Sequence, residues 1–196
     1  MSLPIVQGRT ALLLMDMQNM IVSRYTSDTA QLAPFKQALE TARLHGLPVI
    51  FVRVAFREGH VNVSARNKMF GRIIGTPGGG TEDIGTQIHA ELAPRENEPI
   101  VTKIRVSAFA GSDLEAVLRS QGIDSLVLSG IATSGVVLST LREAADKDYG
   151  LTVLADACLD QDADVHRVLT EKVFPVQADV MTVEEWAASL GEEKEK

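Results

Sequence analysis

Asp16 and Lys103 are the residues of this chain whose types and surroundings suit proton transfer. Asp16 follows four consecutive apolar residues, Leu12 to Met15, in LLLMDMQN, and Lys103 closes a short apolar run in IVTKIRVSAF. A carboxylate at the C-terminal end of a buried strand lies on the edge where open parallel sheets bind ligands. Desolvation raises the pKa of such a carboxyl unless a cation compensates, and Lys103 is the candidate cation. The two read either as a proton-shuttling couple or as a structural ion pair. Residue types alone leave both readings open.

A second chemical resource is the backbone of SLVLSGIATSGVVLSTLREAADKDY, Ser125 to Tyr149. Leu126, Val127 and Leu128 form a run suited to a strand buried on both faces. Gly130 permits a turn, and Thr133 or Ser134 is the candidate N-cap of the helix that follows. Val137, Leu138, Leu141, Ala144 and Ala145 line one face of that helix, with Arg142, Glu143, Asp146 and Lys147 on the other. A helix start presents unpaired N–H groups and a positive dipole end, which can hold an anion or a developing oxyanion. Gly135 would let a ligand approach that backbone closely. An ordinary buried strand–helix unit has the same pattern.

The stretch Arg57 to Gly85 has weak periodicity and many glycines, so it reads as a lid, a binding loop or an arm to a neighbouring subunit. Arg57, Arg66, Lys68 and Arg72 gather positive charge there and could meet an anionic substrate; a solvated basic loop is the plainer alternative. GTPGGGTE is not a phosphate loop, because no Gly-Lys-Ser/Thr follows. His45, His60, His89 and His166 show neither an i,i+4 pair nor an acid–histidine cluster at ligand spacing, so no metal site and no cofactor is expected. No Gly-x-Ser-x-Gly elbow is present. Cys158, the only cysteine, is expected just past a strand as a buried, inert thiol.

The elements that must position these residues alternate along the chain. Strands are expected at Thr10–Asp16, Leu47–Val54, Pro99–Lys103, Leu126–Leu128, Leu151–Ala155 and Val176–Met181. Helices are expected at Ala30–His45, around Leu114–Leu118, after Gly135, at Asp162–Val173 and at Val183–Leu190. Such alternation predicts a parallel sheet with helices on both faces. With 196 residues, 45% hydrophobic and 23% charged, one domain spanning residues 1–196 is the simplest organisation. No apolar run approaches membrane-spanning length, and MSLPIVQGRT lacks the design of a signal peptide. A single cysteine fits a reducing cytoplasm, and a net charge of −7 argues against a general affinity for nucleic acid. The tail GEEKEK reads as a solvated end.

With LLLMDMQN, the central VTKIRVSAFAGSDLEAVLRSQGIDSLVLSGIATSGVVLSTLREAADKDYG and VLADACLD in this order and spacing, the chain resembles the isochorismatase-like hydrolases. The resemblance implies a three-layer α/β/α fold with a six-stranded parallel sheet, a homodimer or higher homo-oligomer, and a small-molecule substrate. It places Asp16 and Lys103 on the first two positions of the family's Asp–Lys–Cys triad. It puts a cis peptide between Ile131 and Ala132, and it makes Gln18 and the backbone of Ala132, Thr133, Ser134 and Gly135 the substrate- and oxyanion-binding groups. The family's amidases read roughly Gly-Val-Ala-Thr-x-x-Cys-Val where this chain reads GIATSGVV, so Val136 stands at the nucleophile's place, and a valine cannot form a thioester. The resemblance therefore favours a cysteine-independent hydrolase of the isochorismatase type, in which Asp16 protonates the vinyl carbon of an enol ether and water attacks the resulting oxocarbenium carbon. Two alternatives stand beside it. One is an amidase or carbamoylase that uses Asp16-activated water, or Thr133 or Ser134 in place of cysteine; the other is a ligand-binding protein without turnover.

Overall fold

Branched and apolar runs form six strands: β1 (Arg9–Met15), β2 (Val49–Val54), β3 (Ile100–Lys103), β4 (Ile123–Ile131), β5 (Gly150–Leu159) and β6 (Asp179–Met181). The structure, a computed structural model, describes residues 9–192. All strands pair in parallel, in the order β3-β2-β1-β4-β5-β6. The order reverses between β1 and β4, and the crevice at such a reversal is where doubly wound sheets bind ligands. Among the described residues six α-helices accompany the strands: α1 (Asn19–Tyr25), α2 (Ala33–Leu44), α3 (Leu114–Ser120), α4 (Leu138–Ala145), α5 (Ala163–Val168) and α6 (Val183–Glu192).

Strand period 2 divides the core between the two faces. Ala11, Leu13 and Met15 pack with Leu114 and Leu118 of α3 and with Leu141 and Ala144 of α4. Leu12 and Leu14 face the other way, against Phe35, Ala38, Leu39 and Ala42 of α2 and Val183 and Trp186 of α6. Ala11 through Met15 are consequently shut off from solvent altogether, as a strand covered on both faces must be. The expected three-layer α/β/α arrangement is the observed one.

Element boundaries depart from the periodicity where tertiary contacts override it. Strand β5 continues to Leu159 because its far half pairs again with β4, Gly130 opposite Cys158 and Ile131 opposite Leu159, after a register shift. Cys158 therefore lies inside β5 rather than just past it. Strand β6 is only three residues long; Phe174–Val176 forms a 3₁₀ turn instead. Helix α1 sits in a stretch to which the periodicity assigned no element. The expected helix from Ala30 begins as a separate 3₁₀ turn, Thr29–Leu32, ahead of α2. The helix expected across Asp162–Val173 is α5 followed by a wide π-type turn at Leu169–Val173. Residues 1–8, and the tail from residue 193, lie outside the described residues.

The Arg57–Gly85 stretch is built from short turns, Glu58–His60, Phe70–Ile73 and Ile84–Thr86. Side chains brace it. Asp83 accepts hydrogen bonds from the N–H groups of Gly79 and Gly85 at 2.7 and 2.8 Å. The hydroxyl of Thr86 donates to the Gly80 carbonyl at 2.6 Å. The stretch read as a lid, a binding loop or an arm thus has its own hydrogen-bonded framework.

Candidate active site

The backbone ladder of β1 runs on to the Asp16 N–H, which donates to the Val52 carbonyl at 2.8 Å. The chain then leaves the sheet with Asp16 in the left-handed region, φ 57°. Lys103 ends β3 opposite Val54, so the two side chains meet across the end of β2. Lys103 Nζ lies 2.9 Å from Asp16 Oδ2 and donates to the carbonyls of Arg105 and Val106, each at 2.9 Å. An ammonium has three protons, and all three have partners here. Asp16 is served differently: Oδ1 is buried with no hydrogen-bond partner among the described residues.

Residue exposures of 6% for Asp16 and 1% for Lys103 put the couple in a poorly screened environment. Burial pushes the Asp16 carboxyl above the usual aspartate range, against the opposing charge and hydrogen bond of Lys103. The arrangement can therefore hold or release a proton at Oδ1, while Lys103 acts as a fixed positive charge.

Next to β1, the end of β4 comes so close that only glycine fits at position 130. A Cβ there would sit 2.3 Å from the Met15 carbonyl oxygen, and φ is 153°. The Ile131–Ala132 peptide is cis, as the resemblance implied. A wide π-type turn spans Thr133–Val137 before α4 begins at Leu138. The N-terminal flank is Ala132, without a side-chain cap, so neither Thr133 nor Ser134 caps the helix as expected.

The backbone donors assigned to an oxyanion are in part already engaged. Gly135 and Val137 N–H both donate to the Ala132 carbonyl, at 3.1 and 3.2 Å. Ser134 N–H donates to Asp160 Oδ2 at 2.7 Å, so a carboxylate of the chain itself occupies part of this positive end. The Thr133 hydroxyl lies 2.9 Å from His166 Nδ1. Val136 is 2% exposed and packs in the core with Met15 and Leu141.

The side-chain amide of Gln18 is engaged by backbone groups. Its amide nitrogen donates to the carbonyls of Val54 and Thr86 at 2.9 and 3.0 Å, and its oxygen accepts from Val54 N–H at 2.8 Å. It ties the ends of β1 and β2 to the Ile84–Thr86 turn. Arg57, Arg66, Lys68 and Arg72 are all exposed. Only Arg57 of these lines the large recess, of about 1300 Å³, under the Arg57–Gly85 stretch. That recess is not lined by Asp16, Lys103 or the Ala132–Val137 turn.

Asp160 and His166 were not among the residues singled out from the sequence. Asp160 directly follows β5, on the same sheet edge as Asp16, and that position was the available signal. His166 carried none, because its partner Thr133 is 33 residues away. Cys158 is 2% exposed, and burial pushes its thiol up to about 12. No group of three His, Cys, Asp or Glu side chains among the described residues is arranged to hold a metal ion. No helix among them is long and apolar enough to cross a membrane.

Comparison with known proteins gives a consistent picture. The family model described as the isochorismatase domain matches residues 10–185. The ureidoacrylate amidohydrolase RutB of Stutzerimonas stutzeri (strain A1501) is 34% identical over 172 residues, covering 76% of this chain and 69% of the relative. An isochorismatase family protein from Burkholderia thailandensis superposes with a TM-score of 0.82 at 28% identity, over 97% of this chain and 100% of the other. The N-carbamoylsarcosine amidase of Thermoplasma acidophilum superposes with a TM-score of 0.73 at 25% identity, over 89% and 96% of the two chains.

Proposed function

The chain belongs to the isochorismatase domain family and is a hydrolase of that family, and we propose that it cleaves a C–N bond of a small carboxylated ureido, carbamoyl or amide compound without a cysteine nucleophile. The observation that carries this reading is the asymmetry of Asp16: Lys103 holds Oδ2, while Oδ1 is buried and unpartnered. In the proposed reaction Oδ1 takes a proton from water as the oxygen attacks the carbonyl carbon. It then delivers that proton to the departing nitrogen, so one water is consumed and an amine is released. Lys103, immobilised by two carbonyls, supplies a fixed charge that keeps the carboxylate in place.

Independence from cysteine is supported by two features. Val136 stands where the resemblance puts the nucleophile, and the sole thiol, Cys158, is buried and held neutral. The names of the relatives, an amidohydrolase and an amidase, favour C–N over vinyl-ether cleavage, which the resemblance had put first. One observation keeps vinyl-ether hydrolysis as a second reading. An Asp16 whose pKa is raised by burial can serve as the acid that protonates an enol-ether carbon.

The test is turnover by the purified protein on ureido acids, N-carbamoyl amino acids, simple amides and enol ethers that carry a carboxylate. Release of ammonia or amine from the first three classes, unaffected by iodoacetamide, is the expected result. Enol-ether turnover alone selects the second reading. Saturable binding without turnover of any class overturns both.

A further inference from the structure

The Thr133–Val137 turn is wound more widely than an α-helix, and its flank, Ala132, supplies no side-chain cap. Turns of this π type are rare, and many of those known lie at functional sites. Two side chains from one short segment hold this one. Asp160, directly after β5, accepts from the Ser134 N–H at 2.7 Å, a charge-assisted bond. His166, in α5, meets the Thr133 hydroxyl through Nδ1 at 2.9 Å. Consecutive residues of the turn are thus gripped across gaps of 26 and 33 residues.

The gripping segment is itself fixed at both ends. Leu159, just before Asp160, pairs with Ile131 at the end of β4. Asp162 caps α5 by accepting from the N–H groups of Asp164 and Val165, at 2.9 and 3.2 Å. Thr133 is shut off from solvent, and its hydroxyl has no partner but His166 among the described residues. A hydroxyl without water gives its proton to the acceptor in reach. Nδ1 therefore accepts, and the neutral ring carries its own proton on Nε2.

Packing carries the turn's position to Asp16. A Cβ on Gly130 would lie 2.3 Å from the Met15 carbonyl oxygen, and Val136 shares a core cluster with Met15. Close-packed interiors transmit such shifts, so a change in the winding of the turn is felt at the residue before Asp16. We propose that Asp160 and His166 are positioning residues for the hydrolysis proposed above, on which this inference rests: together they clamp the Thr133–Val137 turn in its wide form beside the Asp16 carboxylate. Neither side chain is asked to exchange a proton with substrate.

The experiment compares alanine with asparagine at both positions. An asparagine oxygen can accept from Ser134 N–H as Asp160 does, and at 166 it can stand where Nδ1 stands. Asp160→Ala and His166→Ala are expected to lower kcat roughly 10–100-fold, the scale of an ångström's misplacement, with KM within about threefold. Asp160→Asn and His166→Asn should recover most of that loss. Thr133→Val combined with His166→Ala should cost no more than about twofold beyond His166→Ala alone, because the two remove one bond. Hydrogen exchange reads the clamp without any substrate: amides of Ser134–Val137 should lose protection in the alanine variants while those of β1 and β2 keep theirs. Alanine variants with kcat within about twofold of wild type overturn the proposal, as do equal losses for alanine and asparagine. If the wild type turns over no compound of the panel, the hydrolase reading fails, and exchange alone decides the clamp: unchanged protection of Ser134–Val137 in both alanine variants overturns it.

Discussion

Two carboxylates of similar side-chain exposure sit at opposite ends of the sheet, each against a cation. At the end where strands begin, Glu98 precedes β3 and meets Arg43 from the last turn of α2. The guanidinium grips both oxygens, at 2.8 and 2.6 Å, and Arg95 N–H adds a third bond at 2.8 Å. At the end where strands finish, Asp16 has a single bond from Lys103 and one oxygen with none. Side-chain exposures are 6% for Glu98 and 8% for Asp16, but Asp16 lies deeper in the protein, so desolvation adds to the difference in bonding. Burial opposes ionisation at both. For Glu98 the hydrogen bonds from Arg43 and Arg95 outweigh it and bring the carboxyl below its usual range, whereas for Asp16 burial prevails and the carboxyl is raised. A planar fork satisfies a carboxylate in a way that a point charge does not. The saturated pair fastens a helix end to a strand start; the unsaturated one keeps an atom available for chemistry.

Neutralising each carboxylate is the most severe test of that contrast. Asp16→Asn is expected to lower turnover by ~10²–10⁴-fold, the usual contribution of a positioned acid or base, while Glu98→Gln leaves it within about threefold. Steady-state kinetics on the best substrate of the panel decides, and equal losses in the two variants would erase the functional distinction.

Removing the cations should separate the pairs by stability. Arg43→Met strands a buried carboxylate and is expected to cost ~3–5 kcal/mol in urea unfolding at pH 7. Lys103→Met strands one whose pKa burial already raises, so its cost should be smaller on the acid side than on the alkaline side. A pH-independent cost for Lys103→Met would contradict the raised pKa.

The two groups should also give stability opposite slopes with pH. Native Asp16 holds its proton above the pH at which the unfolded chain releases it. Its contribution therefore declines as pH rises from the ordinary aspartate value to the raised folded one. Glu98, with a lowered folded pKa, stabilises above its ordinary value and loses that stabilisation as pH falls through the folded one. Unfolding free energies from pH 3 to 8 for wild type, Asp16→Asn and Glu98→Gln should show each slope vanish with its own residue.

The smallest effect is expected at Cys158, opposite Gly130 and near the site. With its thiol at about 12, the thiolate at pH 7.5 is on the order of 10⁻⁴ to 10⁻⁵ of the population. An hour with iodoacetamide should leave both mass and turnover unchanged; rapid stoichiometric alkylation would show that burial does not protect it.

Local pattern by itself determined the alternation of strands and helices, the parallel sheet, and the arrival of Asp16 and Lys103 at its C-terminal edge. Each of those follows from a period of 2 or 3.6 and from where an apolar run stops, and such information is carried by neighbours in the chain. Only the tertiary structure decided how the edge is wired. Gln18 holds β2 and the Ile84–Thr86 turn, and Asp160 occupies the Ser134 N–H. The large recess opens beside β3, and among the described residues Oδ1 of Asp16 is the buried polar side-chain atom left without a partner. Those outcomes depend on which strand ends become neighbours in the order β3-β2-β1-β4-β5-β6, and on which donors find each other across gaps of 26 to 68 residues. Hydrogen bonding is short-ranged and directional, so a shift of an ångström reassigns a partner, and no run of residue types records that distance.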